Sequence, residues 1–206
     1  MTDIIFRRAS AADYPDILVL HRKNLFSNLS DQSRQNGFVS IDMDDSQLAA
    51  INEDLAVIVA VQEKLVVGYV CGTTQEYSVQ FPLLKHMMSL YQETLFQGQP
   101  LSNYHSFLYG PVCIATAYRG TGVLQGLFQA LLAQIATRFN AGVAFVVKDN
   151  PRSLRAHTQK LGMELLTDFE FNGKSYVMLA FTVPPLPKRG RLHPQCTHRV
   201  EIESGR

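Results

Sequence analysis

A short glycine-containing turn between an apolar strand and an amphipathic helix is the segment of this sequence best suited to bind an anion. The turn contains Arg119, Gly120, Thr121 and Gly122, and the apolar run 107–114 precedes it. The first turn of a helix has N–H groups without helical partners and carries the positive end of the helix dipole. Glycine lets an anion approach these groups closely, and arginine adds positive charge. The pattern predicts a phosphate-binding turn, although an ordinary tight strand-to-helix turn has the same composition.

Two common phosphate-binding motifs do not fit this turn. A P-loop requires Gly-Lys followed by Ser or Thr, and no lysine follows Gly122. The dinucleotide fingerprint requires Gly-x-Gly-x-x-Gly, and the next glycine, Gly126, comes one residue too late. The turn therefore predicts neither a P-loop nucleotide-binding protein nor a dinucleotide-binding domain.

The hydrophobic periodicity of the flanking segments predicts a mixed α/β domain. The predicted strands cover residues 4–8, 55–61, 65–73, 107–114, 143–147, 164–169 and 175–182. The predicted helices cover residues 11–26, 44–54, 81–96, 122–139 and 150–162, with loops at 27–43 and 98–100. Helix 122–139 has the strongest apolar face, and Asn172-Gly173 predicts a type I′ turn between the last two strands.

The composition is that of a soluble globular protein. The chain has 206 residues, 46% of them apolar, and a formal net charge of +1. This balance argues against a nucleic-acid partner, and no apolar run reaches the roughly 18 residues of a membrane span. Cys71, Cys113 and Cys196 are too widely spaced for a disulfide framework or a zinc site. The N-terminal sequence lacks the order of a signal peptide. We therefore expect a cytoplasmic protein without a metal or a membrane partner.

The last segment, residues 184–206, differs from the rest of the chain. It contains four prolines and carries a net charge of +3, which leaves −2 for residues 1–183. We interpret the chain as a domain over 1–183 followed by a Pro-rich basic tail. Such a tail is either solvated or an arm that packs on a second subunit, which leaves a homodimer open.

The turn and its neighbours resemble the GNAT (N-acetyltransferase) superfamily over about residues 3–183. The central signature of that family is Arg/Gln-x-x-Gly-x-Gly/Ala after the fourth strand. Arg119, Gly122 and Val123 match it, whereas Leu124 stands where the family usually has Gly or Ala. The resemblance implies a mixed central sheet of about seven strands with helices on both faces. It also implies that acetyl-CoA binds in a splay between the fourth and fifth strands, here 107–114 and 143–147.

A second motif extends the resemblance, since Asn150 and the run 161–163 (Leu-Gly-Met) look like the family's Asn and Leu-Gly-Phe that flank the next helix. In the family, the backbone at the end of the fourth strand hydrogen-bonds the pantetheine arm. The resemblance therefore assigns these residues to acetyl-CoA binding: Val112, Cys113, Ile114, Arg119, Gly120, Thr121, Gly122, Val123, Leu124 and Asn150.

The catalytic residues are less clearly marked. The resemblance places an oxyanion contact at a backbone N–H near Ile114 and a general-acid tyrosine at the position of Thr158, which is a poor acid. His157 is adjacent, but on a regular helix it points about 100° away. Glu76, at the expected end of the third strand, and His105, before the fourth, are candidate bases. The alternative for each of these two residues is that it is an ordinary solvated surface residue without a catalytic role.

Residues 76–104 form a long connection between the third and fourth strands. In the resemblance this segment borders the acceptor side, and its aromatic and methionine content favours an apolar or bulky acceptor, a dimer contact or simple core packing. We expect an N-acetyltransferase that moves an acetyl group to an amine of a small molecule or peptide. The alternative is a GNAT-fold module that binds an acyl-CoA as a sensor, with little or no catalysis.

Overall fold

A computed structural model of the protein describes residues 3–185. The strands in this range are β1 (Ile5–Arg8), β2 (Ala56–Gln62), β3 (Leu65–Thr73), β4 (Leu95–Phe96), β5 (Gln99–Pro100), β6 (Ser106–Ile114), β7 (Ala141–Val147), β8 (Glu164–Phe171) and β9 (Lys174–Thr182). The α-helices are α1 (Tyr14–Lys23), α2 (Asp31–Arg34), α3 (Asp45–Asp54), α4 (Gln75–Ser78), α5 (Pro82–Ser89), α6 (Val123–Ile135) and α7 (Pro151–Arg155). Shorter 3₁₀ turns lie at Ala11–Asp13, Phe26–Asn28, Leu101–Asn103 and Thr116–Tyr118, and α7 continues into a π-helix at Ala156–Lys160.

Seven of the strands form one mixed sheet in the order β1-β2-β3-β6-β7-β9-β8. The pair β6–β7 is parallel, and every other neighbouring pair is antiparallel. The parallel pair requires a crossover, which α6 supplies. The predicted mixed sheet of about seven strands is confirmed, and β6 and β7 are its fourth and fifth strands.

The alternation of side chains in the central strands divides the core between the two faces of the sheet. Ile58 of β2 packs on the face that α6 covers, and its neighbour Val59 packs on the opposite face, which α1 and α3 cover. A third cluster, around Met87 of α5 and Met178 of β9, extends that opposite face toward β8. Helices therefore cover both faces, as expected.

The two parallel strands separate soon after they begin. Their register pairs are Ser106↔Ala141, Phe107↔Gly142 and Leu108↔Val143, although β6 continues to Ile114 and β7 to Val147. We call the open region beyond these pairs the seam. It is the splay that the resemblance implied between these strands.

Most strongly patterned elements form where they were predicted, with ends shifted by a few residues. The predicted helix 11–26 begins as a 3₁₀ turn, where the Asp13 carboxylate accepts hydrogen bonds from Ser10 N–H and Oγ–H, and α1 ends at Lys23. The predicted helix 122–139 ends at Ile135. Asn172 and Gly173 both have positive φ, at 49° and 72°, as a type I′ turn requires.

The predicted helix 81–96 is wrong in its second half. Helix α5 ends at Ser89, and Leu95, which has helical spacing, is exposed in β4. Gln97 and Gly98 adopt positive φ, and they turn the chain into β5 where a loop was predicted. Tyr91 lies in an irregular turn after α5, and its side chain is buried there. Its spacing from the residues of α5 is helical although Tyr91 is not part of the helix. The predicted tail falls almost entirely at 186–206, outside the described residues.

Candidate active site: two cavities that meet at the seam

A cavity of about 500 Å³ opens beside the turn that follows β6. Its walls come from Asn24, residues 35–39, the end of β6, the turn 119–122, the start of α6, and α7 with its π-helix. Four cationic side chains line it, and no carboxylate does so within the described chain: the cations are Arg119, Arg152, Arg155 and Lys160. We call it the basic cavity, and its charge suits a polyanionic ligand.

The N-terminus of α6 faces this cavity without a side-chain cap. Gly122 is the N-cap residue with φ +93°, and Gly120 has φ +85°, so both positions favour glycine. The first intrahelical bond runs from Gly126 N–H to Gly122 O. The N–H groups of the three residues before Gly126 therefore have no helical acceptor, which is the arrangement that binds phosphate.

The other predicted residues of this turn have different environments. Leu124 is half-buried and lines the basic cavity. Val123 is 1% exposed and packs in the core, and Thr121 is exposed, where its hydroxyl donates to Tyr118 O at 2.8 Å. Neither of these two side chains lines the cavity. At these two positions the predicted phosphate contacts would therefore be made by backbone N–H groups rather than by side chains.

Arg119 is bound to the protein on three sides. Its Nε donates to Ile114 O at 3.0 Å, one terminal nitrogen donates to Asn36 O at 2.6 Å, and the other donates to Asn24 Oδ1 at 2.7 Å. Burial lowers the pKa of Arg119, yet a guanidinium stays charged at neutral pH. Arg119 was predicted as a charge near phosphates. In the structure it also joins the end of β6 to the segment 24–39.

The end of β6 exposes backbone groups to the seam. Ala115 N–H donates to Val67 O, and Cys113 is paired with Tyr69 in the same ladder. Because backbone groups alternate between the two edges of a strand, the N–H groups of Val112 and Ile114 face away from β3, toward the seam. Cys113 itself is buried, and burial raises the pKa of its thiol to about 12, so it is not a nucleophile at neutral pH.

Asn150 has a positioning role in the structure. It is buried, its Oδ1 accepts from Ser153 N–H at 3.2 Å as the N-cap of α7, and its Nδ2 donates to Phe38 O at 2.9 Å. Both ends of the amide are therefore engaged. This residue, predicted to bind the cofactor, connects α7 to the segment that walls both cavities.

A second cavity of about 250 Å³ lies in the seam and extends toward α5. Apolar and aromatic side chains make up most of its lining, and the aromatic ones are Phe38, Tyr77, Phe81, Tyr109, Phe145 and Tyr176. Asp42 is the carboxylate and Lys174 the cation that line it within residues 3–185. We call it the apolar cavity. Tyr77, Phe81 and Leu84 of its lining belong to the long connection before β6, and that this connection borders an acceptor stays a prediction.

The three predicted catalytic side chains line neither cavity. Glu76 is exposed in α4, because β3 ends at Thr73 rather than at residue 76. His105 is exposed at the start of β6, at the opposite end from Ile114, and its ring lies 4.9 Å from that of Phe139. Thr158 Oγ1 donates to Leu154 O at 2.9 Å within its own helix.

Two side chains that were not predicted as site residues lie there instead. His157 is 5% exposed and lines both cavities. Tyr109 lines the apolar cavity, and its buried hydroxyl has no hydrogen-bond partner among the described residues. The two rings meet edge to face with centroids 5.6 Å apart. The π-helix at 156–160 is the signal that was missed, since a regular helix was assumed there.

No family model matches the sequence, and no curated protein sequence matches it either. Solved structures match it in fold at low sequence identity. A GNAT-superfamily phosphinothricin acetyltransferase from Sinorhizobium meliloti, in complex with acetyl-CoA, has TM-score 0.59 and 18% identity, covering 92% of this chain and 95% of that one. An acetyltransferase of the GNAT family from Streptococcus pneumoniae has TM-score 0.57 and 11% identity, covering 88% and 100%. A ribosomal-protein-alanine N-acetyltransferase from Brucella melitensis has TM-score 0.56 and 20% identity, covering 86% and 99%.

The chain has the GNAT fold. The likeness extends over nearly the whole length of these structures. In this GNAT fold the glycine turn, the seam and α7 surround the basic cavity, and the connection 74–105 borders the apolar cavity. Residues 3–185 contain no cluster of three or more His, Cys, Asp or Glu that suits a metal ion. In the same range no helix has the length and hydrophobicity needed to cross a bilayer.

Proposed function

We propose that the protein is an acetyl-CoA-dependent N-acetyltransferase that acts on an amine of a small molecule or peptide. The observation that carries the proposal is the meeting of the two cavities at the unpaired edge of β6. Phe38, Val39, Val112, Ser153 and His157 line both of them. A ligand in the basic cavity and a ligand in the apolar cavity would therefore come together at Val112.

The basic cavity fits the phosphates of acetyl-CoA. Its four cations and the uncapped start of α6 match a ligand with a pyrophosphate and a further phosphate. The exposed backbone of Val112 and Ile114 offers hydrogen bonds to an extended amide-containing arm, as a neighbouring strand would. When bound, acetyl-CoA supplies the activated acetyl group.

The same backbone supports acyl transfer. Attack of an amine on a thioester develops negative charge on the carbonyl oxygen, and an N–H donor fixed in place lowers the barrier. The N–H groups of Val112 and Ile114 are held by the β3–β6 ladder and need no rearrangement to donate. The aromatic lining of the apolar cavity favours an amine with an apolar or aromatic body.

The test of the binding site is a matched pair of glycine variants. A Cβ at Gly122 meets no protein atom within 4 Å, so the side chain of Gly122→Val extends into the cavity. Gly98 also has positive φ, at +80°, and open space around a Cβ, but it lies outside both cavities. Gly98→Val therefore reproduces the backbone strain alone.

Calorimetry with acetyl-CoA should show at least a tenfold weaker Kd for Gly122→Val and an unchanged Kd for Gly98→Val. Equal affinities in two folded variants would contradict the assignment of the site. Release of free thiol across a panel of amines then separates an enzyme from a sensor module, because a sensor binds acetyl-CoA and releases no amine-dependent thiol.

A further inference from the structure

His157 lies where the two cavities join. Of the five residues that line both cavities in the described chain, it has the only side chain that titrates near neutral pH. It is placed there by the π-helix Ala156–Lys160, whose wider turn changes the direction in which side chains leave the helix. Thr158, at the position that the sequence motif indicated, lines neither cavity.

The hydrogen bonds of His157 determine which ring nitrogen carries the lone pair. Nδ1 lies 2.7 Å from Ser153 O. A carbonyl oxygen only accepts, so Nδ1 must carry the hydrogen. In the neutral ring Nε2 is then the basic nitrogen, and it makes no hydrogen bond to any group in residues 3–185.

The surroundings of the ring favour its neutral form. Burial lowers the pKa of His157, and the bond to Ser153 O opposes this only in part. The charged groups around it in the basic cavity are the cations Arg119, Arg152, Arg155 and Lys160. From β6 it faces Tyr109, whose pKa burial raises, so that this phenol stays neutral. Asp42 lines the apolar cavity rather than the basic cavity, and its side chain is 67% exposed.

We propose that His157 is a catalytic residue that carries the proton between the amine and the departing sulfur. Nε2 accepts the proton that the amine nitrogen loses as its bond to the acetyl carbon forms. The same nitrogen then donates that proton to the sulfur as the carbon–sulfur bond breaks. The histidine returns to its neutral form, and the products are an amide and a thiol. This inference rests on the proposed function. It assigns to His157 the base role, for which the sequence offered Glu76 and His105, and the acid role, for which it offered Thr158.

The variant that isolates this role is His157→Asn. An asparagine amide can still donate to Ser153 O, as Nδ1 does, but it has no basic nitrogen. His86→Asn is the matched control, because His86 packs on Phe169 and Phe171 outside both cavities. Thr158→Val tests the rival position.

The assay measures thiol release with acetyl-CoA and a panel of phenethylamine, hexylamine, spermidine and a lysine-containing peptide, together with calorimetry for acetyl-CoA. His157→Asn should lower kcat by about 10² to 10⁴, the usual effect of losing an acid–base group, with the Kd for acetyl-CoA changed less than threefold. His86→Asn and Thr158→Val should stay within about threefold of the original chain. A threefold or smaller loss in His157→Asn, or a hundredfold loss in Thr158→Val, would overturn the proposal while the proposed function stands.

A second measurement needs no turnover. Long-range ¹H–¹⁵N spectra of the full chain, assigned by comparison with His157→Asn, should show Nδ1–H and an unprotonated Nε2 at pH 7. The Nε2–H tautomer or a protonated ring at that pH would overturn the proposal. If acetyl-CoA binds but no amine releases thiol, catalysis itself is refuted, and the role of His157 with it.

Discussion

Replacing Arg119 with lysine separates the charge of this residue from its geometry. Lysine keeps the positive charge but has one nitrogen, so it can replace one of the three hydrogen bonds that Arg119 makes to Ile114 O, Asn36 O and Asn24 Oδ1. A hydrogen bond from a charged donor contributes about 1.5–3 kcal/mol when buried, and about 1 kcal/mol is reasonable for this half-buried group. Losing two should lower the free energy of unfolding by about 2 kcal/mol. For a chain of this length that lowers Tm by about 4–8 °C.

Thermal unfolding followed by circular dichroism measures this change, and Arg152→Lys is its control. Arg152 is an exposed cation of the same cavity with one side-chain bond, to Asn36 Oδ1 at 3.1 Å, so its replacement should shift Tm by about 1 °C or less. Hydrogen exchange at residues 36–39 should also quicken in Arg119→Lys, because that segment loses its attachment to β6. Equal Tm values for the two lysine variants would refute the view that Arg119 holds the cavity wall in place.

Two further predictions concern His157 and strand β7. If neutral His157 is the proton acceptor, kcat should be constant from pH 7 to 8. It should fall as the pH drops through the pKa of His157, which burial places below the ordinary value of about 6.5. A profile of kcat against pH measures the midpoint of this fall, and a midpoint above pH 7 would contradict the assignment. Gly142→Ala should lower the free energy of unfolding by about 2–3 kcal/mol, because a Cβ there would lie 2.1 Å from Cζ of Phe181, a ring already packed against three other aromatic rings. Chemical denaturation measures this, and an unchanged midpoint would show that the ring moves aside freely.

The elements that could be predicted from sequence are those with long or continuous apolar patterns. The hairpin β2–β3 and helix α6 follow from their residues alone, because burial against a single sheet imposes a regular period. The β8–β9 turn follows instead from Asn172-Gly173. The connection before β6 was misread because Tyr91 and Leu95 match a helical spacing without a helix. Periodicity records which residues face the core, and an irregular turn can bury the same positions.

The turn that lines the basic cavity could also be predicted from sequence, because its glycines and the helix start are contiguous; its phosphate-binding role stays a prediction. The reaction side of the site was not accessible from sequence. The predicted loop 27–43 supplies walls of both cavities through its residues 35–43, more than 70 residues upstream of the turn. His157 reaches the seam through a π-helix, which the spacing of apolar residues does not reveal. Glu76 and His105 were predicted as site residues because they lie close in sequence to the end of one strand and the start of another. Closeness in sequence does not determine which end of a strand lies beside a cavity.

The four cations of the basic cavity have a consequence for how quickly a ligand arrives. The chain as a whole is nearly neutral, at +1, and so has little long-range attraction for a polyanion. At about 0.1 M salt the field of exposed charges decays over roughly 10 Å, so a ligand senses the cations at the cavity mouth and little else. Association should therefore accelerate steeply as the salt concentration falls, while dissociation changes less. Inorganic phosphate in a buffer would slow the binding of such a ligand by competing for the same four cations, even though it takes no part in the proposed reaction.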